Sequence, residues 1–273
     1  MLYADAWGPD DDAAPILCLP GLTRNARDFH ALCGALNETY HGKKRIIALE
    51  SRGRGRSSWA SADTYTPLRE INDILEVMAA WRIAKADVVG TSRGGLLAMG
   101  LATMASDRLG RVVLNDIGPI IEPQGLERIG EAVGRVMEYA SFEALAETLH
   151  TSLGQQFPTL TADEWGRLAR QLASPVDGGD TVRFDYDPAL AERFNDASAD
   201  SLPDLWPAFD ALTEGRPVLT IRGVNSDILS AATLEAMVRR AGVTGLSVPD
   251  EGHAPLLWDT RTQNAIAQFL RPH

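Results

Sequence analysis

Cysteine is nearly absent: the 273-residue chain has two, Cys18 and Cys33. Two thiols in a chain of this size make no disulfide framework, and no Cys/His spacing fits a zinc site. Cys18, inside the apolar run Pro15-Ile16-Leu17-Cys18-Leu19, reads as a small buried hydrophobe. Positive charge is also short, with 26 Lys plus Arg against 37 Asp plus Glu and a net charge of −11. Such a chain is a poor ligand for nucleic acid or an anionic membrane. No apolar run approaches the roughly 18 residues that span a bilayer. Residues Met1-Leu2-Tyr3-Ala4-Asp5 lack the basic-then-apolar pattern of a secretory signal. The expected setting is cytoplasmic. The expected partner is a small-molecule substrate, not nucleic acid or membrane, with monomer and homodimer both open.

What is present is an alternation. Residues 16–19 and 44–49 read as buried strands, and between them Phe29, Leu32, Cys33 and Leu36 fall at helical spacing, predicting a helix over 28–37. Thr66-Pro67 reads as an N-cap with proline at the first helical position, followed by an apolar stripe of Leu68, Ile71, Leu75, Met78 and Ile83. A strand at 86–89, a helix at 93–105 and a strand at 111–114 follow. The pattern resumes with strands at 217–221 and 245–248 and helices at 231–241 and 261–270. Strands alternating with helices predict a doubly wound, parallel α/β sheet covered on both faces. Between the two runs, residues 119–209 hold helical stretches (126–139, 142–153 and 162–172) and no convincing strand. That length is too great for a connection, so it predicts a helical cap subdomain at 119–209 on a core of 1–118 and 210–273. The acidic Asp10-Asp11-Asp12 reads as a solvated turn.

The chemistry concentrates at Gly90-Thr91-Ser92-Arg93-Gly94, a Gly-x-Ser-x-Gly segment with a short apolar strand before it and a helical stretch after it. Such a strand-to-helix turn exposes the serine oxygen at the sheet's carboxyl edge, and the flanking glycines let strand and helix pass closely. A serine nucleophile needs a base. Of five histidines, His30, His41, His150 and His273 sit in a helix, a turn, the inserted segment and the terminus, while His253 follows a strand in Glu251-Gly252-His253. The third member is a carboxylate that fixes the imidazole tautomer. Asp227, after the strand at 217–221, is favoured. Asp116, which also ends a strand on that edge, is the alternative acid. Oxyanion donors are expected from the backbone N–H groups of Arg93 and of Leu22, in the turn Leu19-Pro20-Gly21-Leu22.

Taken together, Leu19-Pro20-Gly21-Leu22, Arg52-Gly53-Arg54-Gly55-Arg56-Ser57, the Ser92 turn, Asp227 and Gly252-His253 resemble the α/β-hydrolase superfamily over nearly the whole chain outside the insertion. The resemblance implies a mostly parallel sheet of about eight strands with a helical cap. Two departures are Pro20-Gly21 where many relatives have His-Gly, and Glu50 where many have aspartate; neither removes a backbone donor. The Arg52-to-Ser57 stretch lacks the Lys-Ser/Thr ending of a phosphate loop and reads as structural. The implied chemistry is an acyl-enzyme on Ser92, with His253 as base and no metal or organic cofactor. The substrate is expected to be a carboxylic ester or lactone under the cap. Hydrolysis of a carbon–carbon bond beside a ketone, or non-catalytic small-molecule binding on the same fold, are the alternatives. Trp165, Phe184, Tyr186, Trp206 and Phe209 are candidate pocket aromatics, for which packing within the cap is the competing role.

Overall fold

A computed structural model describes residues 1–10, 14–135, 138–195 and 203–271; Asp11 and Asp12 of the acidic run, and His273, lie outside them. Strand β1 (Tyr3–Trp7) pairs antiparallel with β3 (Ile46–Glu50), which pairs in parallel with β2 (Ile16–Leu19). Strands β4 (Ala86–Thr91), β5 (Leu109–Asn115), β9 (Val218–Gly223) and β10 (Val243–Val248) extend the sheet in the order β1-β3-β2-β4-β5-β9-β10. That is seven strands among the described residues, against about eight expected. Strand β1 has no apolar alternation in YADAW and is half exposed, so it escaped the pattern reading.

The central strands are apolar at successive positions because both faces are covered. Leu17, Leu19, Ile47, Val88, Val112 and Leu114 pack with α2 (Pro67–Ala80), α3 (Arg93–Met104) and α8 (Trp206–Thr213). Their alternates Ile16, Cys18, Ile46, Ala48, Val89 and Val113 pack with α1 (His30–Thr39) and with the C-terminal helix Thr260–Phe269. Cys18 and Cys33 are both free and buried in that second layer. Thr66 caps α2 by accepting the Arg69 N–H, with Pro67 at the first position as expected.

The insertion is not purely helical. It holds α4 (Pro123–Ala132), α5 (Phe142–Leu153), α6 (Ala162–Leu172) and α7 (Leu190–Asn195), with a small antiparallel sheet of β6 (Glu138–Tyr139), β8 (Val182–Phe184) and β7 (Ala173–Pro175). Two- and three-residue strands carry too little alternation to be read from sequence. The helix expected over 126–139 stops at Ala132, with Gly134 at φ 83° just beyond it. Helix α8 straddles the 209/210 boundary, and its Phe209 and Leu212 pack into the layer beneath the main sheet. No helix among the described residues is long and apolar enough to cross a membrane.

The turn between β4 and α3 depends on missing side chains. A Cβ on Gly94 would lie 1.9 Å from the Leu19 carbonyl oxygen, and one on Gly90 would lie 2.6 Å from the Gly94 backbone. In contrast, a Cβ on Gly34 in α1 would meet nothing within 4 Å. Urea unfolding should therefore show opposite signs. Gly94→Ala is expected to lose about 3 kcal/mol through forced backbone displacement, and Gly34→Ala to gain up to about 1 kcal/mol from helix propensity.

Candidate active site

Ser92 makes the turn from β4 to α3 alone, at φ 50° and ψ −115°. A non-glycine residue in the left-handed region is strained and needs its surroundings to hold it. Its N–H donates to the Asn115 carbonyl (2.9 Å), and its own carbonyl accepts from the N–H groups of Gly95 (2.9 Å) and Leu96 (3.1 Å). The strained turn projects the hydroxyl over the carboxyl edge of the sheet.

His253 meets it there. Its Nε2 lies 2.9 Å from Ser92 Oγ, and its Nδ1 lies 2.8 Å from Asp116 Oδ2. Asp116 follows β5 directly, also in the left-handed region at φ 58°, a conformation that aspartate tolerates better than most residues. Its carboxylate is fully buried while the His253 side chain is 8% exposed. Two other donors occupy it: the Gly223 N–H on Oδ1 (2.9 Å) and the Ser226 hydroxyl on Oδ2 (2.5 Å). Ser226 is itself fixed by accepting the N–H groups of Ile228 and Leu229, each at 3.1 Å.

The expectation that Asp227 orients the imidazole is therefore corrected: Asp116 makes that contact. Asp227 sits four residues past the end of β9, and its carboxylate points to the insertion. There Arg128 of α4 binds it through both oxygens (2.6 and 2.8 Å) and Gln156 Nε2 donates to it (3.0 Å). Burial raises its carboxyl, but the Arg128 hydrogen bonds and charge outweigh this and hold it below the ordinary aspartate value. Gln156 went unremarked in the sequence, and a lone glutamine in a loop carries no signal. Its Oε1 accepts the His253 backbone N–H at 3.0 Å, and a Cβ on Gly252 would strike its side chain at 2.4 Å.

A cavity of about 450 Å³ opens over Ser92 and His253. Gly21 and Leu22 line its floor, and Ile129, Tyr139, Leu149, Phe184 and Tyr186 of the insertion line its roof. Of the aromatics expected there, Phe184 and Tyr186 face the cavity. Trp165 does not: it is buried among Phe157, Leu168 and Leu145 in the insertion's own core. Trp206 and Phe209 pack edge to face with each other, away from the cavity. Among the described residues, neither the Leu22 nor the Arg93 N–H has a protein acceptor, which leaves both for a ligand oxygen. No cluster of metal-ligating side chains occurs among the described residues.

Comparison with known proteins bears on the fold. A family model described as the alpha/beta hydrolase family matches residues 16–267. A 3-hydroxybutyrate-oligomer hydrolase of Cupriavidus necator is 36% identical over 282 residues, covering 99% of this chain and 92% of that protein. An esterase of Mycobacterium tuberculosis is 27% identical, over 86% of this chain and 74% of its own length. Among solved structures, an alpha/beta hydrolase from Novosphingobium aromaticivorans superposes with a TM-score of 0.90 at 40% identity, covering 98% of this chain and 93% of that one.

The two acids should separate in kinetics. Asp116→Asn is expected to cut kcat by about 10⁴-fold, because an amide stabilises the wrong imidazole tautomer. Asp227→Asn is expected to cost less than about tenfold. A second outcome concerns Glu251, whose carboxylate accepts the Leu256 N–H at 2.7 Å. Burial, with help from the Asp259 and Asp116 charges, pushes its carboxyl from 4.5 up to about 7. The folded state then binds the proton more tightly than the unfolded chain, so stability falls as pH rises from about 4.5 to about 7 and levels off above. Denaturation at pH 5 and pH 8 should show the wild type losing about 2.5 kcal/mol that Glu251→Gln does not lose.

Proposed function

The chain belongs to the alpha/beta hydrolase family, and on that premise we propose that it is a serine esterase acting through Ser92, His253 and Asp116 by way of an acyl-enzyme. The observation that carries this reading is the continuous chain from Asp116 through His253 to Ser92, with both links below 3 Å, at the floor of a roofed cavity. A binding protein built on the same fold would have no use for a strained serine aligned on a carboxylate-oriented imidazole.

The chemistry follows from where each proton sits. Asp116 accepts the Nδ1 proton of His253, leaving the Nε2 lone pair directed at Ser92. As Ser92 Oγ attacks the ester carbonyl carbon, its proton passes to Nε2, and the buried carboxylate stabilises the imidazolium that forms. The carbonyl oxygen gains negative charge between the N–H groups of Leu22 and Arg93; such donors are worth about 3 kcal/mol each to the transition state. His253 then protonates the departing alkoxide. Water, deprotonated by the same imidazole, releases the acid and restores Ser92.

For the substrate, the 3-hydroxybutyrate-oligomer hydrolase similarity points to a short ester of a hydroxy acid. The cavity supports that choice. Its walls are mainly apolar, with Leu149, Leu153, Leu172 and Phe184 beside the polar groups of Tyr139, Thr148 and Ser152. That mixture suits a chain of alternating methyl-bearing and ester groups. The segment 119–209 acts in this reading as the cap that selects the substrate.

Labelling with a fluorophosphonate, mapped by mass spectrometry, is expected to modify Ser92 in the wild type and to fail in Ser92→Ala and His253→Ala. In parallel, dimers and trimers of 3-hydroxybutyrate should be cleaved with a kcat that Ser92→Ala lowers by about 10⁶-fold. Labelling at Ser92 with no ester cleavage, but with turnover of a vinylogous ketone, would replace the ester reading by carbon–carbon bond hydrolysis. A folded protein that resists labelling would refute the nucleophile itself.

A further inference from the structure

The two amides assigned to the oxyanion come from separate segments, Leu22 from the turn after β2 and Arg93 from the first residue of α3. An ionic network buried behind them joins the two. Arg54, in the loop after β3, is 1% exposed, and its Nε donates to the Leu22 carbonyl at 2.7 Å. Its Nη1 also donates to the Arg52 carbonyl at 2.7 Å, which ties the guanidinium to its own loop. Glu70 of α2, equally buried, accepts from Arg54 Nη1 and Nη2, both at 3.4 Å. The same carboxylate accepts from Arg93 Nη2 at 2.8 Å and Arg93 Nε at 3.4 Å. One carboxylate thus holds both the arginine that grips the Leu22 residue and the side chain of the other oxyanion residue.

Buried ion pairs seldom add net stability, because desolvation costs about as much as the attraction returns. A network of this kind, spent behind the reacting oxygen, has a better rationale in geometry. It also has one in charge: two guanidiniums against one carboxylate leave a net positive group in a water-poor region where negative charge develops. The loop carrying Arg54 is braced on its other side too. Gly53 passes so close to Tyr65 that a Cβ would lie 2.6 Å from its hydroxyl, and the Arg54 guanidinium lies 5.7 Å from the Tyr65 ring centroid.

We infer that Arg54 and Glu70 are positioning residues for the oxyanion hole, setting the distance and orientation between the Leu22 and Arg93 amides through Glu70's shared carboxylate. The inference rests on the acyl-transfer reading above and adds to it two residues that never touch substrate. It also gives the Arg52-to-Ser57 loop a part in catalysis beyond holding the fold.

The test compares ester turnover with inhibition by a trifluoromethyl ketone, which Ser92 would capture as a charged tetrahedral adduct that needs the oxyanion donors. In Glu70→Gln, kcat is expected to fall about 10- to 100-fold with KM changed less than about threefold. The ketone's Ki should rise by the same factor. Arg93→Gln cuts one arm of the network at a partly exposed side chain, and should move kcat and Ki together by about 3- to 10-fold. A folded Glu70→Gln enzyme with unchanged Ki would overturn the inference, as would a fall in kcat without a matching rise in Ki. Should Glu70→Gln fail to fold, an unchanged Ki in Arg93→Gln overturns it equally. A wild-type enzyme that does not bind the ketone would instead refute the acyl-transfer reading, and the inference with it.

Discussion

A carboxylate sealed from water must have its oxygens occupied by donors, and the site is organised around that requirement at Asp116. Its two oxygens receive Gly223 N–H, Ser226 O–H and the His253 ring. Those donors come from the ends of two further strands, β9 and β10. Its own N–H closes onto the Ile221 carbonyl at 2.8 Å, and its neighbour Asn115 receives the Ser92 N–H. Asn115 and Asp116 together thus tie the carboxyl edge of β5 to β4, to β9 and to the loops that follow β9 and β10. Loss of the Asp116 charge strands three oriented donors, the imidazole among them.

The same geometry explains why Asp116 is less legible in the sequence than Ser92. Gly90-Thr91-Ser92-Arg93-Gly94 carries its meaning locally, since the glycines are demanded by contacts with the residues that follow them and with Leu19. His253 was legible because it alone among the histidines follows a core strand at the right edge. Chain order does not separate Asp116 from Asp227: both lie between Ser92 and His253. What separates them is that β5 neighbours β4 directly while Asp227 lies beyond β9 on a loop that leans toward the insertion. Strand order is a long-range property, and no periodicity records it. The parallel core was legible from its continuous apolar strands. Strand β1 and the three short strands of the insertion were not, because edge and isolated strands of a few residues show no clear period.

Asp227, which does not contact the histidine, links the insertion to the core. Arg128 clamps it from α4, it orients Gln156, and Gln156 holds the His253 backbone. The roof of the cavity and the loop that carries His253 are thus parts of one hydrogen-bonded assembly. Phe184 and Tyr186, the two expected aromatics that reach the cavity, belong to the strand β8 and its extension. Tyr186 there bridges to Arg54 in the loop behind the Leu22 turn. The cavity's roof and the sheet edge that carries Ser92 are close in space even though the insertion interrupts the sequence by some 90 residues.

The claim on which the account turns is that Asp116 holds the His253 Nδ1 proton. Proton NMR of the exchangeable region reads that hydrogen bond directly, as a far-downfield resonance assigned by ¹⁵N-labelled histidine. The account predicts a resonance that persists in Asp227→Asn and disappears in Asp116→Asn. A resonance lost in Asp227→Asn and retained in Asp116→Asn would contradict it.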